Sequence, residues 1–196
     1  MRVYLRKYLD DLAKHVPPKK CIIFCRGNGV LGELYCRLME LTDYRFKDCR
    51  DAPFVMNHSS LLEASEKVLK ERSSEISLYL SSNKMLLGID LDKIDVVIFI
   101  RPYNQPAALI QGGGRGGRKK GNGKRSAVQV YQFFNSQDLT TNNKLMSPVM
   151  KEICLSGTCT RQMLRRIFVG NSEGQEETVV DQKHCCHNCD TKLSLQ

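Results

Sequence analysis

The sequence predicts an α/β fold, a parallel sheet with helices over both faces. Three observations predict it. Short apolar runs recur, the clearest being Cys21-Ile22-Ile23-Phe24-Cys25 and Val96-Val97-Ile98-Phe99-Ile100, and such runs suit strands buried on both sides. Between them lie segments whose apolar residues fall three and four apart, the period of an amphipathic helix. Strand and helix alternate at intervals that make neighbouring strands parallel, with a crossover between them. In open sheets of this kind ligands sit in loops at the carboxyl ends of the strands, and a site is expected there.

The elements follow in order. Met1 to Val16 carries Val3, Leu5, Tyr8, Leu9 and Leu12 at helical spacing, and Pro17-Pro18 ends the segment. The run 21–25 is the first strand, Arg26-Gly27-Asn28-Gly29 a turn, and Leu31 to Leu41 a helix. Phe54-Val55-Met56 reads as a brief strand ending near His58. Leu61 to Glu71 reads as a helix, with Ser59 or Ser60 as N-cap and Glu63 in capping-box position. Ile76 to Ser81 and Asp95 to Ile100 are further strands, Pro106 to Ile110 a short helix, and Ala127 to Phe134 a fifth strand. From Ser136 the composition turns polar. Met150 to Phe168 then reads helical, broken by Gly157.

A length of 196 residues suits one ordinary domain with a small appendage, and an apolar fraction of 41% is enough for a core, which excludes global disorder. The net charge of +9 favours a polyanionic partner, nucleic acid first and an acidic membrane second. No apolar run approaches the ~20 residues of a membrane helix. The charged start, Met1 to Tyr8, leads into no apolar run, so no secretory signal is expected. Cys21, Cys25 and Cys36 lie in apolar patterns and read as small buried hydrophobes. Cys154, Cys159, Cys185, Cys186 and Cys189 crowd the last quarter. Nine cysteines, an odd number without a secretory signal, argue for reduced thiols and a metal site over a disulfide framework.

The chain is organised around Gln111 to Arg125, Q-G-G-G-R-G-G-R-K-K-G-N-G-K-R. Seven glycines there let the backbone approach a ligand closely, and six cationic side chains face no acidic residue in the stretch. Guanidinium groups grip phosphate oxygens through a planar fork that stays charged at any working pH. The phosphate could belong to a nucleotide or to a nucleic-acid backbone, and G-G-R-G-G-R also reads as a flexible RNA-binding segment.

Three segments in order resemble helicase motifs. Cys21 to Gly27 (C-I-I-F-C-R-G) resembles motif IV, and Ser81 to Asp90 (S-S-N-K-M-L-L-G-I-D) is similar to motif V. Gln111 to Arg118 fits the motif VI frame Q-x-x-G-R-x-G-R at every fixed position. Asn57-His58-Ser59 stands where the RecQ DNA helicases usually have a His-Ala-Gly loop. C-T-R-Q-M-L-R-R-I-F-V-G from Cys159 resembles the Cys-Arg-Arg helix that opens the RecQ zinc subdomain, and Cys186-x-x-Cys189 resembles its end. The resemblance, from about Lys20 to Asp190, is to the second RecA-like domain and zinc subdomain of the RecQ family.

The resemblance implies a RecA-like helicase C-terminal domain over 1–136 and a small helical zinc-binding subdomain over 137–196. It implies a half-engine of a 3′–5′ DNA helicase in the nucleus, or nucleoid in a prokaryote. ATP with Mg²⁺ would be shared with a first RecA-like domain that carries the P-loop lysine; this chain shows no G-x-x-x-x-G-K-[ST] and no D-E-x-H, so it is not expected to hydrolyse ATP alone. Arg118 matches the family's arginine finger, Arg115 the adjacent phosphate-facing arginine, and Gln111 opens the same motif. Gly88, Asp90 and Gly114 match nucleotide-side positions. Arg26, His58, Ser59, Asn83 and Lys84 match DNA-backbone positions, which hold a strand without reading its bases. Cys159, Cys185, Cys186 and Cys189 are the implied Zn²⁺ ligands. The usual tail is Cys-x-x-Cys-x-x-Cys, and here Lys183 and Lys192 stand in two of its places. Either both neighbouring cysteines bind, or His184, His187 or Cys154 completes the set. A rival reading is a non-catalytic basic nucleic-acid-binding or regulatory module that keeps the fold.

Overall fold

The computed structural model describes residues 10, 19–41, 54–58, 71–82, 91, 94–116, 128–140, 146–170 and 186. The chain divides into two compact units, Met1–Tyr103 with Ala107–Thr140, and Asn104–Pro106 with Thr141–Gln196.

The first unit is built on five strands, β1 (Lys20–Cys25), β2 (Phe54–Asn57), β3 (Leu78–Ser81), β4 (Ile94–Ile100) and β5 (Gln129–Phe133). Their order is β2-β3-β1-β4-β5, and every pair is parallel. The apolar runs lie at the centre because only strands covered on both faces can be apolar at every position. Residues 21–25 of β1 are buried throughout, as are all four of β3. Side chains alternate across the sheet. On one face Cys21, Ile23 and Cys25 join Leu78, Leu80, Val96, Ile98 and Ile100 beneath Leu31, Leu34 and Leu38 of helix α1 (Asn28–Leu41). Those leucines recur at three- and four-residue spacing and point to one side of the helix. On the other face Phe24 stacks on Phe99, its register partner in β4, with centroids 5.3 Å apart. Tyr103 meets Phe99 edge to face at 5.5 Å. Burying an Ile, Leu or Phe this fully stabilises the fold by about 1.5–3 kcal/mol each.

Helix α2 (Pro106–Gly113) is longer than its sequence suggests. The expected helix ends at Ile110, yet Gln111, Gly112 and Gly113 continue it, and the Gly114 amide still donates to the Ile110 carbonyl at 2.8 Å. Glycine disfavours a helix interior by roughly 1 kcal/mol relative to alanine, so packing holds this turn. A Cβ on Gly113 would lie 3.6 Å from a Val130 methyl, which shows how closely α2 crosses β5.

In the second unit α3 (Pro148–Leu155) starts with Ser147 as N-cap, its hydroxyl accepting from the Met150 amide at 3.2 Å, and with Pro148 at the first helical position. Its buried residues are Met150 and Ile153. The chain breaks at Ser156 to Cys159, around Gly157 as expected, where the Thr158 amide donates to Ser156 Oγ at 3.0 Å. Helix α4 (Thr160–Val169) follows and is capped by Gly170 at φ 77°. The predicted helices over 1–16 and 61–71 lie outside the described residues apart from Asp10 and Glu71, both helical.

Candidate functional site

The sheet separates the candidate residues along the strand axis. At the carboxyl ends stand Arg26 after β1 and His58 after β2, both half-buried. Asn57 and Ser81 face each other there in register, both fully buried, and the Ser82 amide donates to the Asn57 carbonyl at 3.1 Å. Ser81 Oγ donates to the Ser82 carbonyl at 2.8 Å. Among the described residues neither Oδ1 nor Nδ2 of Asn57 has a hydrogen-bond partner. A buried amide left so is costly.

Arg101 joins the same edge and went unnoticed in the sequence. Its Cα follows Ile100, the register partner of Cys25, and the Arg26 amide lies 3.5 Å from the Ile100 carbonyl. Arg101 is the one described residue other than glycine with positive φ, 67°, a conformation that costs an L-residue about 1–2 kcal/mol. Its amide donates to the Phe133 carbonyl at 2.8 Å, and Nε lies 3.7 Å from Asp138 Oδ1. Asp138 is held by a capping box with Asn135, two reciprocal bonds of 2.9 Å. The signal available was an arginine followed by Pro102 at the end of an apolar strand.

The described motif VI residues, Gln111, Gly114 and Arg115, stand at the other end, away from the carboxyl edge where a ligand site is expected. A Cβ on Gly116 would fall 2.3 Å from Val128 Cγ1, and Val128 precedes Gln129, the register partner of Val96 near the start of β4. The turn carrying Arg115 therefore lies beside the amino end of β5. The reason is geometric. A crossover helix must carry the chain back to where the next parallel strand begins, so whatever follows the helix emerges at the amino edge. Gln111 is exposed on the last turn of α2, Gly114 is exposed, and Arg115 is half-buried, with Nε out of solvent and its amide donating to the Gly112 carbonyl at 3.0 Å. A β4 of seven residues spans roughly 20 Å, which sets the scale of the separation between the two ends.

The family model of the helicase conserved C-terminal domain matches residues 4–120. This chain belongs to the helicase C-terminal domain family. The matched span takes in the motif IV, V and VI segments, with β1 to β4 and α2. Solved structures share the RecA-like helicase fold. The Mycobacterium smegmatis helicase Lhr bound to ssDNA and AMP-PNP is similar at TM-score 0.57 and 20% identity, over 85% of this chain and 19% of that one. The C-terminal part of the Fun30 ATPase domain is similar at TM-score 0.55 and 18% identity, over 85% of this chain and 53% of that one. The DUF1998 helicase MrfA bound to DNA gives TM-score 0.50 and 18% identity over 60% of this chain and 16% of that one. The helicase domain seen here thus spans about a fifth of the Lhr chain and about half of the Fun30 one. No curated protein matches it in sequence.

Several expected site residues of this helicase domain, Ser59, Asn83, Lys84, Gly88, Asp90, Arg118, Cys185 and Cys189, lie outside the described residues. Of the expected zinc ligands Cys159 and Cys186 are described, both half-buried, and Cys159 occupies the N-cap of α4 without a side-chain capping bond. Among the described residues no group of three or more His, Cys, Asp or Glu could hold a metal ion, so no zinc site is formed by them. Cys25 differs from these. Burial pushes its thiol up to about 12, which leaves it protonated and unreactive at neutral pH. Burial likewise raises the Tyr103 phenol, with the Cys25 charge adding to it, and among the described residues that hydroxyl has no hydrogen-bond partner. No helix of the described residues is long and apolar enough to cross a membrane.

Proposed function

We propose that this helicase C-terminal domain is the second motor half of a RecQ-like, ATP-dependent 3′–5′ DNA helicase, inactive as an ATPase by itself. The observation that carries the reading is the Q-x-x-G-R-x-G-R frame of Gln111–Arg118 in the sequence, whose described part, Gln111 to Arg115, leaves α2 at the opposite end of the sheet from Arg26, His58, Asn57 and Ser81. A motor needs its nucleotide and its track on separate surfaces joined by a rigid element, and a close-packed sheet is such an element. Arg115 and Arg118 would stabilise charge on the γ-phosphoryl group, with Gln111 positioning them and Gly88, Asp90 and Gly114 lining the nucleotide. ATP with Mg²⁺ would supply the phosphoryl group, held jointly with a first RecA-like domain provided in cis or in trans. Arg26, His58, Ser59, Asn83 and Lys84 would hold the backbone of single-stranded or forked DNA. The structures of Lhr with ssDNA and AMP-PNP and of MrfA with DNA support this assignment of ligands by analogy of fold.

The RecQ assignment rests on the order and wording of motifs IV, V and VI and on the Cys159 helix. It carries a division into 1–136 and 137–196, a zinc ion on Cys159, Cys185, Cys186 and Cys189, and a place in the nucleus or nucleoid. Metal analysis tests the zinc: one equivalent per chain, lost in Cys159→Ser, supports it, and metal-free chain of unchanged stability refutes it. The decisive experiment supplies a RecQ-type first domain in trans and measures DNA-stimulated ATPase activity. The motor reading expects turnover, reduced on the order of 10³-fold or more by Arg118→Ala. The net charge of +9 in a chain without its own P-loop sequence favours a second reading, a non-catalytic nucleic-acid-binding module. It expects salt-dependent DNA binding and no turnover in the same reconstitution.

A further inference from the structure

Helix α4 carries a stripe that the motor does not use. Arg161, Arg165 and Phe168 are spaced i, i+4 and i+7, so they share one side of the helix. Met163, the buried residue of α4, is two positions from each arginine and faces the opposite way. Both arginines are exposed, and Phe168 is 49% exposed. Thr160–Val169 contains no acidic residue, and among the described residues no ion pair neutralises Arg161, Arg165 or Arg166. A stripe facing water should cost nothing to make polar throughout, yet it holds a large ring one turn beyond the two cations.

We propose that this stripe is a contact surface for a single-stranded nucleic acid. Two guanidiniums one helical turn apart, about 6 Å along the axis, can each take a phosphate of one extended strand, while the Phe168 ring offers a face on which a base stacks. That combination of fixed charge and an aromatic platform binds a strand without regard to sequence. An acidic bilayer would meet the charge as well. The exposed apolar residues, Ile167, Phe168 and Val169, are confined to the last turn, though, and do not form the continuous apolar face that an interfacial helix buries along its length. The surface adds a second nucleic-acid contact, on the second compact unit, to the strand-edge residues of the proposed motor, and it stands whether or not ATP is turned over.

The test is fluorescence anisotropy of the whole 196-residue chain with a labelled oligothymidine, about 16 nucleotides long, across a salt series. Arg161→Gln with Arg165→Gln should weaken binding about tenfold and lower the salt slope by about 1.4, two phosphates at about 0.7 each on a single strand. Phe168→Leu should weaken binding several-fold with the slope unchanged, because stacking releases no counterion. All three positions are exposed, and unchanged thermal unfolding confirms that the variants fold. Arg26→Gln, measured in parallel, reports the strand-edge contact. If it weakens binding while the α4 variants do not, the stripe is refuted and the motor reading stands. If the α4 variants act and Arg26→Gln does not, the strand-edge assignment fails and the stripe stands. Failure of the unaltered chain to bind oligothymidine, or binding to phosphatidylserine vesicles alone, overturns the proposal.

Discussion

Gly116→Ala separates the geometry from the motif. In the frame Q-x-x-G-R-x-G-R residue 116 is a free position, so the motif alone allows alanine. Gly116 is outside the left-handed region, and an alanine there should stabilise by about 0.4–1 kcal/mol through the unfolded chain. The structure opposes this. The new methyl would stand 2.3 Å and 2.8 Å from the two Val128 methyls and 3.0 Å from Val128 Cβ. Turning the valine about χ1 cannot relieve the last contact, so backbone must move. Overpacking of this kind costs about 1–3 kcal/mol, and a half-buried Val128 puts the cost in the lower half of that range. The overlap outweighs the entropy gain. The net expectation is a loss of up to about 1.6 kcal/mol, a fall in Tm of up to roughly 6 °C for a chain of this size. Thermal unfolding of Gly116→Ala, Val128→Ala and the double variant measures it. Removing the two methyls should recover at least about 0.5 kcal/mol of coupling. A higher Tm for Gly116→Ala, or the same cost in both backgrounds, would refute the placement of this turn against the amino end of β5.

Other outcomes follow from single features. Asn57→Leu should hold or raise Tm, since it removes a buried amide whose two polar atoms lack partners among the described residues, while weakening oligonucleotide binding if the amide serves the track; a loss above about 1 kcal/mol would mean the amide is satisfied in the folded chain. Native-state alkylation near neutral pH should label Cys36, which the structure places exposed on α1 and not buried as its sequence pattern suggests, and spare Cys25 until unfolding, as read by peptide mass spectrometry. With the folded Cys25 thiol at about 12 and the unfolded one near its ordinary 9, the unfolded chain loses its proton first. Stability should therefore fall as pH rises through the window from 9 to 12, and Cys25→Ala should flatten that slope in urea melts. Ser147→Ala removes the α3 cap and should cost about 0.5–2 kcal/mol by the same melts.

The strands were legible because burial on both faces leaves a mark in composition. Cys21 to Cys25, Phe54 to Met56 and Val96 to Ile100 are apolar where the sheet is covered, and the helix beginning near Leu31 shows the period of its buried leucines. The break at Gly157 was legible for the same local reason. The last turn of α2 was not, because glycine propensity argues against helix and only contact with β5 reverses it. Arg101 was equally hidden, since a positive φ at a non-glycine residue is imposed by the bonds around it, here to Phe133 and towards Asp138.

The amino-acid sequence by itself determined the alternation of strand and helix, the parallel sheet, and the motif frame from Gln111 to Arg118, since each depends on residues near one another in the chain. Tertiary structure alone decided that Arg115 leaves the sheet at the amino end of β5 while Arg26, Asn57 and Arg101 gather at the carboxyl ends of their strands. Pairing order and register join residues as far apart as Lys20 and Ile94, and no local pattern encodes which strands become neighbours.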